Sequence, residues 1–188
     1  GLIFAMAHLG NWEVCGLAIS QAGYPLRALA RPIENPYIDL WIRTMRQSTG
    51  HRIISKYGAL RSMIEVLRRG EMLTIQADQD ARKSGVAANF FGRPASTVRS
   101  PALLSLKYGA PIVPVNVYRD EAGKHHVVLT SPLHPEDYSS RSDALEAMTQ
   151  EITSRFESFV RMHPEQWMWV HSRWKSADRG KLRMTPVE

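Results

Sequence analysis

His8 and Glu13 are the first residues in the chain whose types and spacing can do chemistry. A carboxylate bonded to one nitrogen of an imidazole fixes its tautomer and leaves the other nitrogen free to take a proton, which is what a general base requires. The residues around them supply a way to bring the two together. Leu2 to Ala7 is a short continuous apolar run, read as a buried strand and too short to span a bilayer. His8 then stands at the carboxyl end of that strand. Gly10 allows a sharp reversal, Asn11 can cap a helix, and Val14, Leu17 and Ala18 repeat at helical spacing. Glu13 falls in the first turn of that helix, where the macrodipole favours a negative charge. The spacing therefore predicts a His8–Glu13 contact. The plainer alternative is that Glu13 only favours the helix start and His8 only fills a turn.

Further elements repeat this plan. Leu26 to Ala30 reads as a second strand ending at Arg31. Asn35-Pro36 supplies an N-cap and a first-turn proline for a helix whose apolar face is Ile38, Trp41, Ile42 and Met45. Ile53-Ile54 is a candidate short strand, and Leu60, Met63, Ile64 and Leu67 mark another helix. Met72 to Ala77 is a third strand, ending in Asp78-Gln79-Asp80. Strand, turn and helix units of this kind predict an α/β fold with a mostly parallel sheet covered by helices, and ligands in such sheets gather beyond the carboxyl ends of the strands. His8, Arg31 and Asp78 are thus expected on one rim.

The stretch from Ala81 to Ala95 reads as a loop, followed by a helix from about Val98 to Tyr108 capped by Ser96 or Thr97. Ile112 to Tyr118 and His126 to Thr130 are expected to form a hairpin, which makes the sheet mixed. The longest amphipathic helix carries Leu145, Met148, Ile152, Phe156, Phe159 and Val160. Trp167 to Val170 reads equally as a strand or as a buried turn.

Arg31, a permanently charged planar donor, suits an oxyanion or a phosphate, or a salt bridge at a strand end. Asp78 and Asp80, two residues apart, can orient an acceptor or support the histidine, hold ion pairs, or bind a divalent metal. Arg82, Lys83, Arg93 and Arg99 can receive a phosphorylated group, or form only a solvated surface. Phe90 and Phe91 are expected to pack rather than to line an apolar ligand pocket, and Trp167 and Trp169 to be core. His171, Arg173 and Lys175 form a basic tail able to touch headgroups. His125, His126, His134 and His163 share no tight metal-ligand spacing.

With 188 residues the chain can bury one sizeable core, and a single domain over 1–188 is expected. Its 24 basic and 18 acidic residues give a net charge of +6, which favours an anionic partner. Composition leaves phosphorylated lipid, an anionic membrane surface, an acidic carrier protein and nucleic acid open. The single Cys15 cannot form an internal disulfide. No repeat or apolar run of membrane-spanning length is present.

The wording His8-Leu9-Gly10-Asn11-Trp12-Glu13 resembles the His-x4-Asp/Glu signature of glycerolipid-type acyltransferases, and in particular the branch that adds late acyl chains to lipid A. Ala30-Arg31-Pro32 with Asn35-Pro36, Ala77-Asp78-Gln79-Asp80, and Pro164-Glu165-Gln166-Trp167-Met168-Trp169-Val170-His171-Ser172-Arg173-Trp174-Lys175 are similar to the same branch in the expected order. The resemblance implies a glycerolphosphate-acyltransferase-like fold and an acyl transfer from an acyl carrier protein or acyl-CoA thioester to a hydroxyl of a lipid A precursor, with His8 and Glu13 as the dyad. Arg31, Asp78, Asp80, Arg82, Arg93 and Arg99 would bind substrate or oxyanion. It further implies no cofactor, metal or nucleic acid, a phosphorylated glycolipid acceptor, peripheral contact with an anionic membrane at the cytoplasmic face of a bacterial inner membrane, and an additional N-terminal portion with a membrane anchor. Two alternatives stand beside it: another glycolipid acceptor such as a phosphatidylinositol mannoside, or a catalytically silent module that binds anionic lipid.

Overall fold

The computed structural model describes residues 1–24, 26–30, 32–55 and 58–180. Arg31, one of the expected site residues, lies outside the described residues. Six strands form the main sheet: β1 (Leu2–Met6), β2 (Leu26–Ala30), β3 (Arg52–Ser55), β4 (Met72–Gln76), β7 (Ile112–Arg119) and β8 (His125–Leu129). Their order is β3-β2-β4-β1-β7-β8, and every pairing is parallel except β7 with β8. The expected mixed, mostly parallel α/β sheet is thus observed.

Alternation along β1 shows why the sheet is covered on both faces. Ile3 and Ala5 belong to a core with the helices α3 (Ala59–Arg68), α4 (Ser100–Tyr108) and α5 (Ala144–Met162), through residues such as Met63, Leu104, Ile152 and Phe156. Phe4 and Met6 point the other way, into a core with Cys15 of α1 (Trp12–Gln21) and Val113, Val115 and Val117 of β7. A strand buried on both sides must be apolar throughout, which is how Leu2 to Met6 reads.

Four sequence expectations change. Residues 81–95 are not all loop, because β5 (Val86–Phe90) and β6 (Arg93–Thr97) form an antiparallel hairpin. Its two turn residues, Phe91 and Gly92, have φ of 53° and 71°, the left-handed pair that a tight two-residue hairpin turn needs. Ser96 and Thr97 are therefore strand residues, and α4 starts at Ser100 with Arg99 at its N-cap. The apolar residues of α2 (Pro36–Gln47) bury nothing completely: Ile38, Leu40 and Trp41 are exposed, together with Tyr37. Trp169 is exposed as well, whereas Trp167 is core. A short helix, α6 (Lys175–Asp178), follows the aromatic stretch. Among the described residues, no helix is long and apolar enough to cross a membrane.

Candidate active site

Strand register brings His8 and Asp78 together. β1 and β4 are adjacent and parallel, with Met6 paired to Gln76, so His8 and Asp78 each stand two residues past matched strand ends. His8 Nδ1 lies 2.6 Å from Asp78 Oδ1. The backbone N–H of His8 donates to Asp78 Oδ2 at 2.8 Å, and Trp167 Nε1–H donates to the same oxygen at 2.9 Å. With a carboxylate as acceptor, Nδ1 carries the proton and Nε2 keeps its lone pair. Nε2 has no hydrogen-bond partner among the described residues, and the ring lines a cavity of about 1780 Å³.

Burial alone pushes the Asp78 carboxyl up. The hydrogen bond and charge of His8, the Trp167 indole and the His8 amide together outweigh it and hold Asp78 below the usual carboxylate value. Asp78 is therefore ionised, as an orienter of an imidazole must be.

The turn carrying His8 is held from several directions. Gly10 has φ of 57°, and a Cβ there would collide with the Val117 carbonyl oxygen, so the reversal requires glycine. Asn11 caps α1 as its sequence suggests, with Oδ1 accepting from Val14 N at 3.0 Å. Trp12 meets the His8 ring edge-on at 5.1 Å. Met168 N–H donates to the His8 carbonyl and Gly10 N–H to the Gln166 carbonyl, both at 3.0 Å, so the aromatic stretch is a clamp over the turn rather than a sheet strand.

Glu13 does not make the expected contact with His8. It faces the same cavity, but its carboxylate accepts from Arg46 Nε at 2.8 Å and Nη2 at 2.5 Å. The guanidinium engages both carboxylate oxygens, and it comes from the last turn of α2. Beside this pair His51 is buried, with neither ring nitrogen hydrogen-bonded. Desolvation and the Arg46 charge lower its pKa against a smaller opposing pull from Glu13.

Asp80 serves a different purpose from Asp78. Its Oδ1 accepts from Arg82 N at 2.7 Å and Ser176 Oγ at 2.7 Å, and its Oδ2 from Ser176 N at 2.8 Å. It anchors the start of α6. Asp78 and Asp80 are thus both occupied by N–H and O–H donors, and among the described residues no group of three or more His, Cys, Asp or Glu side chains is placed to hold a metal ion.

The basic residues divide. Arg82, Lys83, Arg99, Lys175 and Arg179 line the cavity, but Arg93 is not among its lining residues. It pairs with Asp178 at 2.7 Å and stacks over Trp174, because β6 carries it to α6. Arg173 is not part of a headgroup-touching tail either. It is buried, donating to the Ser96 carbonyl and to Thr97 Oγ1, each at 2.6 Å, with its guanidinium over Phe90. Phe90 packs against Trp167, as a core residue does. Arg46 and His51 are cavity residues that carry no local motif and that spacing does not single out, whereas His171, expected in a basic tail, also lines the cavity.

A histidine just past a strand end, oriented by a buried carboxylate and open to a large cavity with cationic residues on its lining, is placed to accept a proton there. Sequence comparison gives the chain its family. The sequence model of the bacterial lipid A biosynthesis acyltransferase family matches residues 1–176, and the chain belongs to that family. Relatives include a phosphatidylinositol mannoside acyltransferase of Mycobacterium tuberculosis, 25% identical over 178 residues, which cover 93% of this chain and 54% of the relative. The corresponding enzyme of Mycolicibacterium smegmatis is 28% identical, covering 93% of this chain and 57% of that protein. A lipid A biosynthesis lauroyltransferase of Escherichia coli is 29% identical over 152 residues, 80% of this chain and 48% of the enzyme. The chain spans about half the length of the curated relatives it matches.

Proposed function

We propose that this chain carries the catalytic site of an acyltransferase that moves a fatty acyl group from a carrier thioester to a hydroxyl of a phosphorylated glycolipid, a lipid A precursor in the leading reading. The observation that carries this proposal is the 2.6 Å His8–Asp78 contact at the cavity. Family membership supports the reaction class.

His8 Nε2 takes the proton of the acceptor hydroxyl as its oxygen attacks the thioester carbon. The new C–O bond forms while the carbonyl π pair moves onto its oxygen. Collapse restores the C=O bond and breaks the C–S bond, and the imidazolium returns its proton to the departing thiolate. Asp78 holds Nδ1–H throughout and stabilises the imidazolium, without itself becoming protonated. A base so positioned typically supplies about 10² to 10⁴ in rate.

The cavity has a surface for each part of the substrates. Met6, Leu26, Ala28, Ile42 and Ile53 supply apolar lining for an acyl chain, and Arg82, Lys83, Arg99 and Lys175 supply charge for acceptor phosphates. The donor is an acyl carrier protein or acyl-CoA. Tyr37, Leu40 and Trp41, exposed on α2, together with the +6 charge, support peripheral contact with an anionic inner-membrane surface.

A second acceptor is a phosphatidylinositol mannoside, because relatives named for that acceptor match 93% of the chain, a share close to the 90% and 96% matched by lipid A acyltransferases. Transfer from an acyl carrier protein thioester to a lipid A precursor and to a phosphatidylinositol mannoside, measured side by side, separates the two. In either case His8→Ala and Asp78→Asn proteins that remain folded are expected to lose about 10² to 10⁴ in kcat. Near-normal turnover by folded His8→Ala overturns the proposal, and binding of anionic lipid without transfer by the unaltered protein points instead to a silent binding module.

A further inference from the structure

Two histidines line this cavity, and the fold holds them in opposite tautomers. His8 is gripped at Nδ1 by an acceptor, the Asp78 carboxylate, so Nε2 is left as a base. His171 is gripped at Nε2 by a donor: the backbone N–H of Asp80 lies 2.8 Å from it. An amide N–H can only donate, so Nε2 must be the unprotonated nitrogen and the ring is neutral with its proton on Nδ1. That Nδ1–H has no partner among the described residues, and the side chain lines the cavity.

The support for His171 is rigid. Its backbone N–H donates to the Met168 carbonyl at 3.3 Å, and Met168 N–H in turn donates to the His8 carbonyl. On the other side, Asp80 fixes Ser176 through two hydrogen bonds. The histidine is therefore tied to the His8 turn by one route and to the Asp78-Gln79-Asp80 segment by another.

We propose, resting on the acyl-transfer reading above, that His171 is a second catalytic residue, its neutral Nδ1–H donating to the thioester carbonyl oxygen as that oxygen becomes an oxyanion. The step needs no additional reactant: the π pair released when the acceptor oxygen attacks comes to rest on an oxygen hydrogen-bonded to Nδ1–H, and returns to carbon when the thiolate leaves. A donor already in place pays no reorganisation as charge develops, and losing one such donor typically costs about 10² to 10³ in kcat. A neutral ring suits this work better than a cation, because it does not bind bulk anions and does not compete for the proton His8 must hold. Desolvation, with the nearby Arg173 and His8 charges, lowers the His171 pKa against the opposing pull of Asp78 and Asp80, which agrees with a neutral ring.

Two substitutions separate catalysis from anchoring. In His171→Gln the side-chain oxygen reaches the Nε2 position and still accepts from Asp80 N–H, but no donor stands where Nδ1–H was. In His171→Asn the amide nitrogen sits near the Nδ1 position and still donates, while the anchor is lost. Single-turnover acyl transfer is measured for both beside the unaltered protein and His8→Ala, with thermal melting as the check on folding. The proposal expects His171→Gln to melt normally and to lose about 100-fold or more in kcat with KM within about threefold, and His171→Asn to retain about tenfold more kcat than His171→Gln. A purely structural role predicts the reverse order. Near-normal kcat in folded His171→Gln overturns the proposal. If His8→Ala is inactive in the same series the acyl-transfer reading survives that failure; if His8→Ala is also active, both fall.

Discussion

His8 and Asp78 stand seventy residues apart in the chain and 2.6 Å apart in space, joined by the register of two parallel strands that are neighbours in the sheet but not in sequence. That relationship replaces the His8–Glu13 contact that local spacing suggests. It makes Asp78 the group that sets the tautomer of the His8 imidazole, and gives Glu13 a different partner.

Glu13 acts on Arg46 rather than on His8. The pair is partly exposed, so its contribution to stability is expected to be under about 1 kcal/mol. Its effect on activity is then the placement of a guanidinium at the cavity. In a double-mutant cycle on kcat/KM, Glu13→Gln and Arg46→Met should be strongly non-additive, with a coupling on the order of 0.5 to 3 kcal/mol. Glu13→Gln and Asp78→Asn should combine nearly additively. Additivity in the first cycle and coupling in the second would reverse these assignments.

Asp78 should also make stability depend on acid. Burial raises its pKa, yet the His8 and Trp167 hydrogen bonds leave it below the ordinary value of 3.8 in the fold. As pH falls, the unfolded chain takes the proton first. The stability from this carboxylate is therefore complete above the ordinary value and disappears as pH drops through the depressed one. Melting temperatures of the unaltered protein and Asp78→Asn should differ most near neutrality and converge below about pH 4. A gap that stays constant or widens in acid would contradict the role given to this group.

Cys15 is the chain's single thiol and is wholly buried on α1, where burial pushes its pKa up to about 12. At pH 8 its thiolate fraction is then about one in 10⁴, and the thiolate is the reactive form. Thiol-reactive dye should label the native protein at least about 10³-fold more slowly than the denatured chain. Equal rates would place Cys15 at the surface.

Much of the fold was legible because its signals are local. The buried run Leu2 to Met6, the Asn11 and Asn35 caps and the helical spacing of Met148, Ile152 and Phe156 each depend on residues within a few positions. The shared rim of His8 and Asp78 was legible too, because both follow strand ends. Their contact was not, because register between non-consecutive strands is set by the whole sheet. The β5–β6 hairpin escaped for a similar reason: its turn uses Phe91 at positive φ, where a sequence reading looks for asparagine or aspartate before the glycine. Arg173 looked solvated because its neighbours are basic, and only the packing shows the carbonyl and hydroxyl that hold it inside.

The most direct test observes the His8 Nδ1–H proton by NMR with isotope-labelled histidine, in the unaltered protein, Asp78→Asn and Glu13→Gln. A short hydrogen bond to a carboxylate gives a far-downfield, slowly exchanging signal. This signal should be present in the unaltered protein, persist in Glu13→Gln, and be lost or shifted strongly upfield in Asp78→Asn. Its survival in Asp78→Asn together with its loss in Glu13→Gln would show that carboxylate 13, and not carboxylate 78, orients the base.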